Sequence, residues 1–377
     1  MKVLILSCNC GEGHNSAGKA VQEQFLHRGI PCEIRDTLSF ESERASRFVG
    51  NVHTKSALYA LFAIGNQLAE RESHGNRASV CYRANASYAG RLYRYISENG
   101  FDTVVMPHIF PTEALTCIRR RHPEAELLTC FIATDYACVP FLGETDADLY
   151  CIPHEYLRHS FAESGIPAHK IAATGIPVRD RFLSHAEKAE ARARLGLPVE
   201  GQLLLVMTGS MGYGNVEALL AALRARIPAA HVLVMGGNNE RLKRTLRTEF
   251  ATDMQISVLD YTNEVSLYLD AADLLFTKPG GLSSTEAAVK GIPMVHTAPI
   301  PGWESDNAAF FEALGLSRTG DTPLLQADQA ALLLASPAAM ERMRERQRRE
   351  INPHAAEDIS TLLLERAEAD VPGERVI

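Results

Sequence analysis

The stretch Phe276-Thr-Lys-Pro-Gly-Gly-Leu-Ser-Ser-Thr-Glu-Ala-Ala-Val-Lys-Gly-Ile-Pro-Met-Val295 reads as strand end, glycine turn, short helix, stop and next strand. Leu274, Leu275 and Phe276 form an apolar run too short for a helix. Gly280 and Gly281 follow, with no Cβ to shield their backbone N–H groups. Ser283 is expected to cap a helix, with Glu286 three residues on. Gly291 suits the left-handed residue after that helix, and Pro293 forbids its continuation. A glycine turn feeding a helix N-terminus attracts anions, because unpaired N–H groups and the helix dipole point outward together. Lys278 adds a full positive charge. Two readings stand: a diphosphate site, or a simple capping box of Ser283 and Glu286. No Gly-Lys-Ser or Gly-Lys-Thr follows the glycines, so this is not a P-loop.

The same alternation of short apolar run, glycine loop and helix recurs on both sides. Upstream, Leu203 to Met207 leads into Thr208-Gly-Ser-Met-Gly-Tyr-Gly214 and a helix near Val216, a second loop suited to phosphate. At the chain's start, Lys2 to Ser7 leads into Cys8-Asn-Cys-Gly-Glu-Gly-His-Asn-Ser16, with a helix expected from about Ala17 to His27. This loop carries His14 where a crevice beyond a parallel strand would hold a ligand, so His14 is a candidate catalytic base. Further strands are expected at Ile30 to Ile34, Thr103 to Met106, Leu127 to Ile132 and Asp148 to Ile152, with a helix from Glu113 to Arg121. Asp135 stands just past one of these strands, able to orient His14, to meet an acceptor hydroxyl or to cap a turn. Alternation stops near Thr174-Gly-Ile-Pro-Val178 and restarts, which predicts two α/β domains with parallel sheets. The boundaries expected are 1–177, 178–350 and a returning C-terminal helix in 351–377.

A chain of 377 residues with 46% apolar content supports two proper cores. Its net charge of -8 argues against a general nucleic-acid binder. All eight cysteines fall at or before Cys151, without zinc-type spacing, so no metal site is expected. With no leader-type run before Val3, free thiols in a reducing cytoplasm are expected, and no segment is apolar enough to span a membrane. The segment from Arg44 to Tyr95 departs from the rest. It holds eight basic residues against Glu70 and Glu72, a balance of +6. Phe48, Tyr59, Phe62, Tyr82, Tyr88 and Tyr93 are interleaved with them. That mixture suits an anionic membrane surface, or two amphipathic helices with solvated arginines.

Taken together, these motifs resemble one family across nearly the whole chain. Thr277-Lys-Pro-Gly-Gly-Leu-Ser284 with Glu286, and Pro299-Ile-Pro-Gly302 with Glu304 and Asn307, are similar to the donor-site signature of monogalactosyldiacylglycerol synthases and bacterial processive diacylglycerol glucosyltransferases. Gly11-Glu-Gly-His14, Thr134-Asp-Tyr136 and the run from Gly165 to Pro177 match the same family. The resemblance implies a GT-B fold, two Rossmann-like domains facing across a cleft, shared with the peptidoglycan lipid-intermediate N-acetylglucosaminyltransferases. It implies an inverting, metal-independent glycosyltransferase that moves a hexose from UDP-glucose or UDP-galactose, as substrate rather than cofactor, to diacylglycerol. Such an enzyme would work peripherally at the inner face of the cell membrane. By the same resemblance Glu286 would bind the UDP ribose, and Glu304 the sugar. Gly13, Ser210, Lys278, Gly280, Gly281, Leu282, Ser283, Ser284 and Asn307 would complete the donor site, with His14 and Asp135 catalytic. A soluble acceptor, or a non-hydrolysing UDP-sugar epimerase on a similar fold, are the alternatives. The sequence departs from the family at Glu12, at Trp303-Glu-Ser305, and after Asp135, where Cys138 to Leu142 lacks the frequent histidine and tryptophan.

Overall fold

The computed structural model describes residues 1–8, 12–41, 79–209, 215–300 and 302–369. They form two compact units, Met1–Arg179 with Pro353–Ile377, and Asp180–Asn352. Each is built on a six-stranded, all-parallel sheet.

In the first unit the strands are β1 (Val3–Ser7), β2 (Cys32–Asp36), β3 (Thr103–Met106), β4 (Leu128–Ile132), β5 (Leu149–Ile152) and β6 (Ile171–Ala173). Their order is β2-β1-β3-β4-β5-β6. The chain therefore runs outward from β1 to one side, returns, and continues on the other. The change of direction opens a crevice beyond the C-terminal ends of β1 and β3, where ligands of such folds bind. Strand β1 is buried along its whole length, as a sheet covered by helices on both faces requires. Helices α1 (Glu12–His27), α2 (Val80–Asn85), α3 (Ala89–Asn99), α4 (Ile109–Arg121) and α5 (Arg158–Glu163) surround it.

In the second unit β7 (Leu203–Met207), β8 (His231–Met235), β9 (Ile256–Leu259), β10 (Leu274–Thr277), β11 (Met294–His296) and β12 (Arg318–Thr319) take the order β12-β11-β10-β7-β8-β9. Here the direction changes between β7 and β10. Helices α6 (Lys188–Arg194), α7 (Val216–Arg226), α8 (Glu240–Glu249), α9 (Val265–Ala271), α10 (Gly281–Val289), α11 (Trp303–Ala313), α12 (Pro323–Leu334) and α13 (Pro337–Glu350) follow. The last described helix, α14 (Ala355–Ala369), belongs to the first unit. Its Ala356, Ile359 and Leu363 share a core with Ala20, Val21 and Phe25 of α1. Arg366 donates to the Asp148 carbonyl at 2.8 Å and Arg28 to Thr361 Oγ1 at 2.8 Å, fixing the helix at two points.

Among the helix starts that differ from expectation, three bear on function. Helix α1 begins at Glu12 rather than Ala17. Gly13, His14 and Asn15 in its opening turn are poor helix formers, but a tertiary bond holds them: Ser7 at the end of β1 donates to Asn15 Oδ1 at 2.5 Å. Helix α4 begins at Ile109 rather than Glu113. Pro111 falls in the first turn, where its missing N–H costs nothing, and the His108 ring accepts the Phe110 N–H at 3.2 Å as cap. Helix α10 begins at Gly281, with Gly280 as a cap that offers no side chain. Ser283 is thus inside the first turn, and the capping box expected of Ser283 and Glu286 does not form. Gly291 does take the left-handed conformation, at φ +66°. Strand β12 and helix α12 were not foreseen, because Arg318–Thr319 is too short to show a period.

Candidate functional site

Two constellations stand at the two switch points. At the first, His14 rises from the opening turn of α1 between the ends of β3 and β4. Its Nδ1 lies 2.9 Å from the Pro107 carbonyl oxygen and 2.9 Å from Thr134 Oγ1. A carbonyl only accepts, so Nδ1 must carry the hydrogen, shared with the threonine oxygen. The lone pair of the neutral ring is then on Nε2. His108 meets the same ring edge-on, with centroids 4.6 Å apart. Its Nδ1 accepts from the Phe110 backbone, so its own hydrogen sits on Nε2. The sequence had marked His14 and Asp135. Asp135 is half-buried beside Thr134, whose hydroxyl makes the contact to Nδ1. Thr134 entered only within the Thr134-Asp-Tyr136 motif, with no role of its own, and Pro107 not at all, although both stand at strand ends. Gly13 shares the first turn of α1 and is half-buried. In the stretch where the family pattern breaks, Phe141 has φ +66°, the one positive value for a non-glycine among the described residues. A bulky residue there is strained.

A buried polar cluster lies next to this site, on α4. Glu113 is fully buried. One carboxyl oxygen accepts from Asn85 Nδ2 at 2.6 Å, and Tyr88 donates to Asn85 Oδ1 at 2.7 Å. The other oxygen, Oε1, has no hydrogen-bond partner among the described residues. Burial pushes the Glu113 carboxyl up to about 8, so it is largely protonated at neutral pH.

The second constellation surrounds the start of α10. The β10–α10 turn places Gly281, Leu282 and Ser283 in the first helical turn, where N–H groups have no acceptor within the helix. Ser284 N–H reaches back to the Gly280 carbonyl at 3.0 Å. The Lys278 side chain crosses Gly209 at the end of β7: a Cβ on Gly209 would stand 3.0 Å from Lys278 Cε. Its ammonium pairs with Glu304, in the first turn of α11. The other Glu304 oxygen accepts from the Ile300 backbone at 2.9 Å. Asn307 is fully buried and donates to the Pro279 carbonyl at 3.0 Å, which shapes the glycine turn. Ser284 also faces inward. Its hydroxyl meets His296 Nε2 at 3.0 Å, and Ser317 Oγ meets Nδ1 at 3.1 Å. Burial alone pushes the fully buried His296 ring down to about 3. Glu286, one turn further along α10, is 7% exposed. Ser210 lies outside the described residues.

Most of the basic, aromatic segment, through residue 78, also lies outside them. Of its remainder, Arg83, Arg91 and Arg94 are exposed. The tyrosines turn inward instead: Tyr88 is in the core, and Tyr82 and Tyr93 pack against it. Arg120 lies 5.0 Å above the Tyr82 ring, and Tyr93 stacks on His122 at 4.0 Å. Among the described residues no group of three or more His, Cys, Asp or Glu could hold a metal ion, and no helix is long and apolar enough to cross a membrane.

Residues 14–178 match the family model described as monogalactosyldiacylglycerol (MGDG) synthase. That match falls within the first unit. Similarity to curated relatives continues beyond it. A processive diacylglycerol beta-glucosyltransferase of Staphylococcus saprophyticus is 28% identical, over 91% of this chain and 87% of its own. The enzyme of that name from Bacillus subtilis is 26% identical, over 91% and 89%. Among solved structures, MurG of Acinetobacter baumannii superposes with a TM-score of 0.63 at 16% identity, covering 97% of this chain and 99% of its own. A UDP-GlcNAc 2-epimerase of Neisseria meningitidis bound to UDP-GlcNAc gives 0.63 at 13%, covering 97% and 100%. At such identities the structural likeness establishes the fold, which is GT-B.

Proposed function

We propose that this protein is an inverting glycosyltransferase that moves a hexose from a UDP-sugar to a diacylglycerol-type lipid, giving a glycosyldiacylglycerol. The observation that carries the reading is the hold of the Pro107 carbonyl and Thr134 Oγ1 on His14 Nδ1, at the switch point of a unit that matches the monogalactosyldiacylglycerol synthase model. The lipid's free hydroxyl attacks the anomeric carbon, its proton passes to His14 Nε2, and the bond from that carbon to the UDP oxygen breaks. Charge grows on the departing diphosphate. Lys278 and the first-turn amides of α10 are the groups suited to receive it, with the α10 dipole adding to both. Glu286 takes the ribose, Glu304 the sugar, and the diphosphate's charge is met without a metal. The donor is UDP-glucose or UDP-galactose.

Attachment to an anionic membrane surface at the inner face of the cell membrane supplies the acceptor. Exposed Arg83 and Arg94 support that placement, as do Arg120 and Arg121 at the end of α4. A soluble acceptor is the less favoured reading, since the curated relatives are named for diacylglycerol. Epimerase chemistry is less favoured because that neighbour shares the fold at 13% identity, whereas the curated relatives at 26–28% are named as glucosyltransferases.

The deciding experiment incubates the full chain with a panel of UDP-sugars and diacylglycerol vesicles, in excess chelator, and reads the lipid fraction by mass spectrometry. A hexose added to the lipid is the expected product. UDP-sugar isomerised without acceptor, or turnover restored only by magnesium or manganese, would overturn the reading.

A further inference from the structure

Lys278 and Glu304 occupy each other where the donor reading needs both for other partners, and this inference rests on that reading. The Lys278 ammonium stands at the N-terminal mouth of α10: a Cβ built on Gly280 would be 3.9 Å from Nζ. Its stem passes over Gly209, at the end of the neighbouring strand β7. The residue it meets there is an anion supplied by the protein. Glu304 contacts Lys278 through Oε1 and the Ile300 N–H through Oε2, so both carboxylate oxygens are engaged. The two side chains are 23% and 9% exposed, so water screens the pair only in part.

A phosphate satisfies the same demands. It is an anion with several oxygens, drawn by the same ammonium and by the same helix end. We propose that Glu304 acts as a built-in stand-in for the donor's β-phosphate. When a nucleoside diphosphate binds, Lys278 passes from the carboxylate to the phosphate. Glu304 is thereby released and becomes an acceptor for the hydroxyls of the sugar. One ammonium thus couples recognition of the diphosphate to the positioning of the group that reads the sugar. The exchange also has a consequence of unexpected sign. The protein's own carboxylate competes with UDP, so removing it strengthens UDP binding even as it impairs use of the UDP-sugar.

Calorimetry of the full chain with UDP and with UMP, which lacks the β-phosphate, tests this. Glu304→Gln keeps the side chain's shape and an oxygen for the Ile300 N–H, but removes the charge. Releasing a partly buried lysine from such a pair should tighten UDP binding about three- to tenfold. UMP affinity should shift less than about twofold, since Lys278 has no β-phosphate to take up. In a Lys278→Met background the same Glu304→Gln change should give no gain for UDP. Glu304→Ala carries the same expectations should the glutamine variant fold poorly, as thermal unfolding would reveal. Unchanged or weaker UDP binding in Glu304→Gln overturns the exchange. So does an equal gain in the Lys278→Met background, which would reduce Glu304 to simple repulsion. Absence of UDP binding to the wild-type chain overturns the donor reading itself, and this inference falls with it.

Discussion

Thr134 Oγ1 stands 2.9 Å from His14 Nδ1, although the two residues are 120 positions apart in the chain. With the Pro107 carbonyl on the same nitrogen, the ring is left one neutral tautomer, the one that turns a basic Nε2 away from the protein's own acceptor. Glycosyl transfer needs a base in that state before the acceptor arrives.

Thr134→Val should therefore lower kcat about three- to tenfold, the scale of one lost hydrogen bond, with donor KM unchanged. Thr134→Ser, which keeps the hydroxyl, should recover most of it. The acidic limb of the pH–rate profile should move in the valine variant, since the proton on Nδ1 loses an acceptor. His14→Ala should cost about 10²- to 10⁴-fold in kcat while UDP affinity by calorimetry stays as in wild type.

Glu286 is expected to hold the ribose hydroxyls of UDP from within α10. Glu286→Ala should weaken UDP by about 1–3 kcal/mol, as loss of a charged hydrogen-bond partner does. Unaltered affinity in a folded variant would leave Glu286 a structural residue of the helix.

Glu113 should make stability depend on pH in the neutral range. Its carboxyl keeps its proton up to about 8 in the folded protein, against 4.5 for an unshifted carboxyl. Unfolding between those values releases a proton, so stability should fall as pH rises from about 5 to about 8. Urea unfolding of Glu113→Gln, which keeps a partner for Asn85 but cannot ionise, should lose that slope. An identical slope in both proteins would assign it to other groups.

His296 acts in the opposite direction. Its folded value, about 3, lies below the ordinary 6.5. Its contribution is thus complete above about pH 6.5 and is lost as pH falls from there toward 3. Replacing it with glutamine removes the titration, so the variant should lose less stability than wild type between pH 6.5 and 4. It should also be less stable at pH 7 by about 1–3 kcal/mol, because the ring packs edge-on against Phe311. A steeper acid dependence in the variant would count against the argument.

Membrane attachment should have an electrostatic part. Among the described residues of the segment, Tyr82, Tyr88 and Tyr93 are committed to the core, which leaves the exposed arginines there. Each is worth about 1 kcal/mol at best near an anionic surface, within a Debye length of roughly 8 Å. Co-sedimentation with anionic vesicles should weaken with salt, and Arg120→Glu with Arg121→Glu should weaken it further. Equal partitioning to neutral vesicles would sink the electrostatic account.

The sequence by itself determined the class of this protein, because parallel strands buried on both faces are written as continuous apolar runs. Leu203 to Met207 and Thr103 to Met106 fall where the pattern placed them. Glycine loops after such runs also marked candidate ligand sites, since backbone without side chains has few other uses there. The tertiary structure decided what individual residues do at those places. Helix α10 starts at Gly281 because Asn307, twenty-eight residues after Pro279, holds that turn by its carbonyl. Helix α1 keeps its weak first turn because Ser7 holds Asn15. Ser284 turned out to serve a buried histidine, and Tyr88 the core. Thr134 acquired its role from a residue 120 positions away. Period and propensity are local quantities, legible within a turn or a strand. A histidine's tautomer or a lysine's partner depends on which strand ends fold together, and only the completed sheet fixes that.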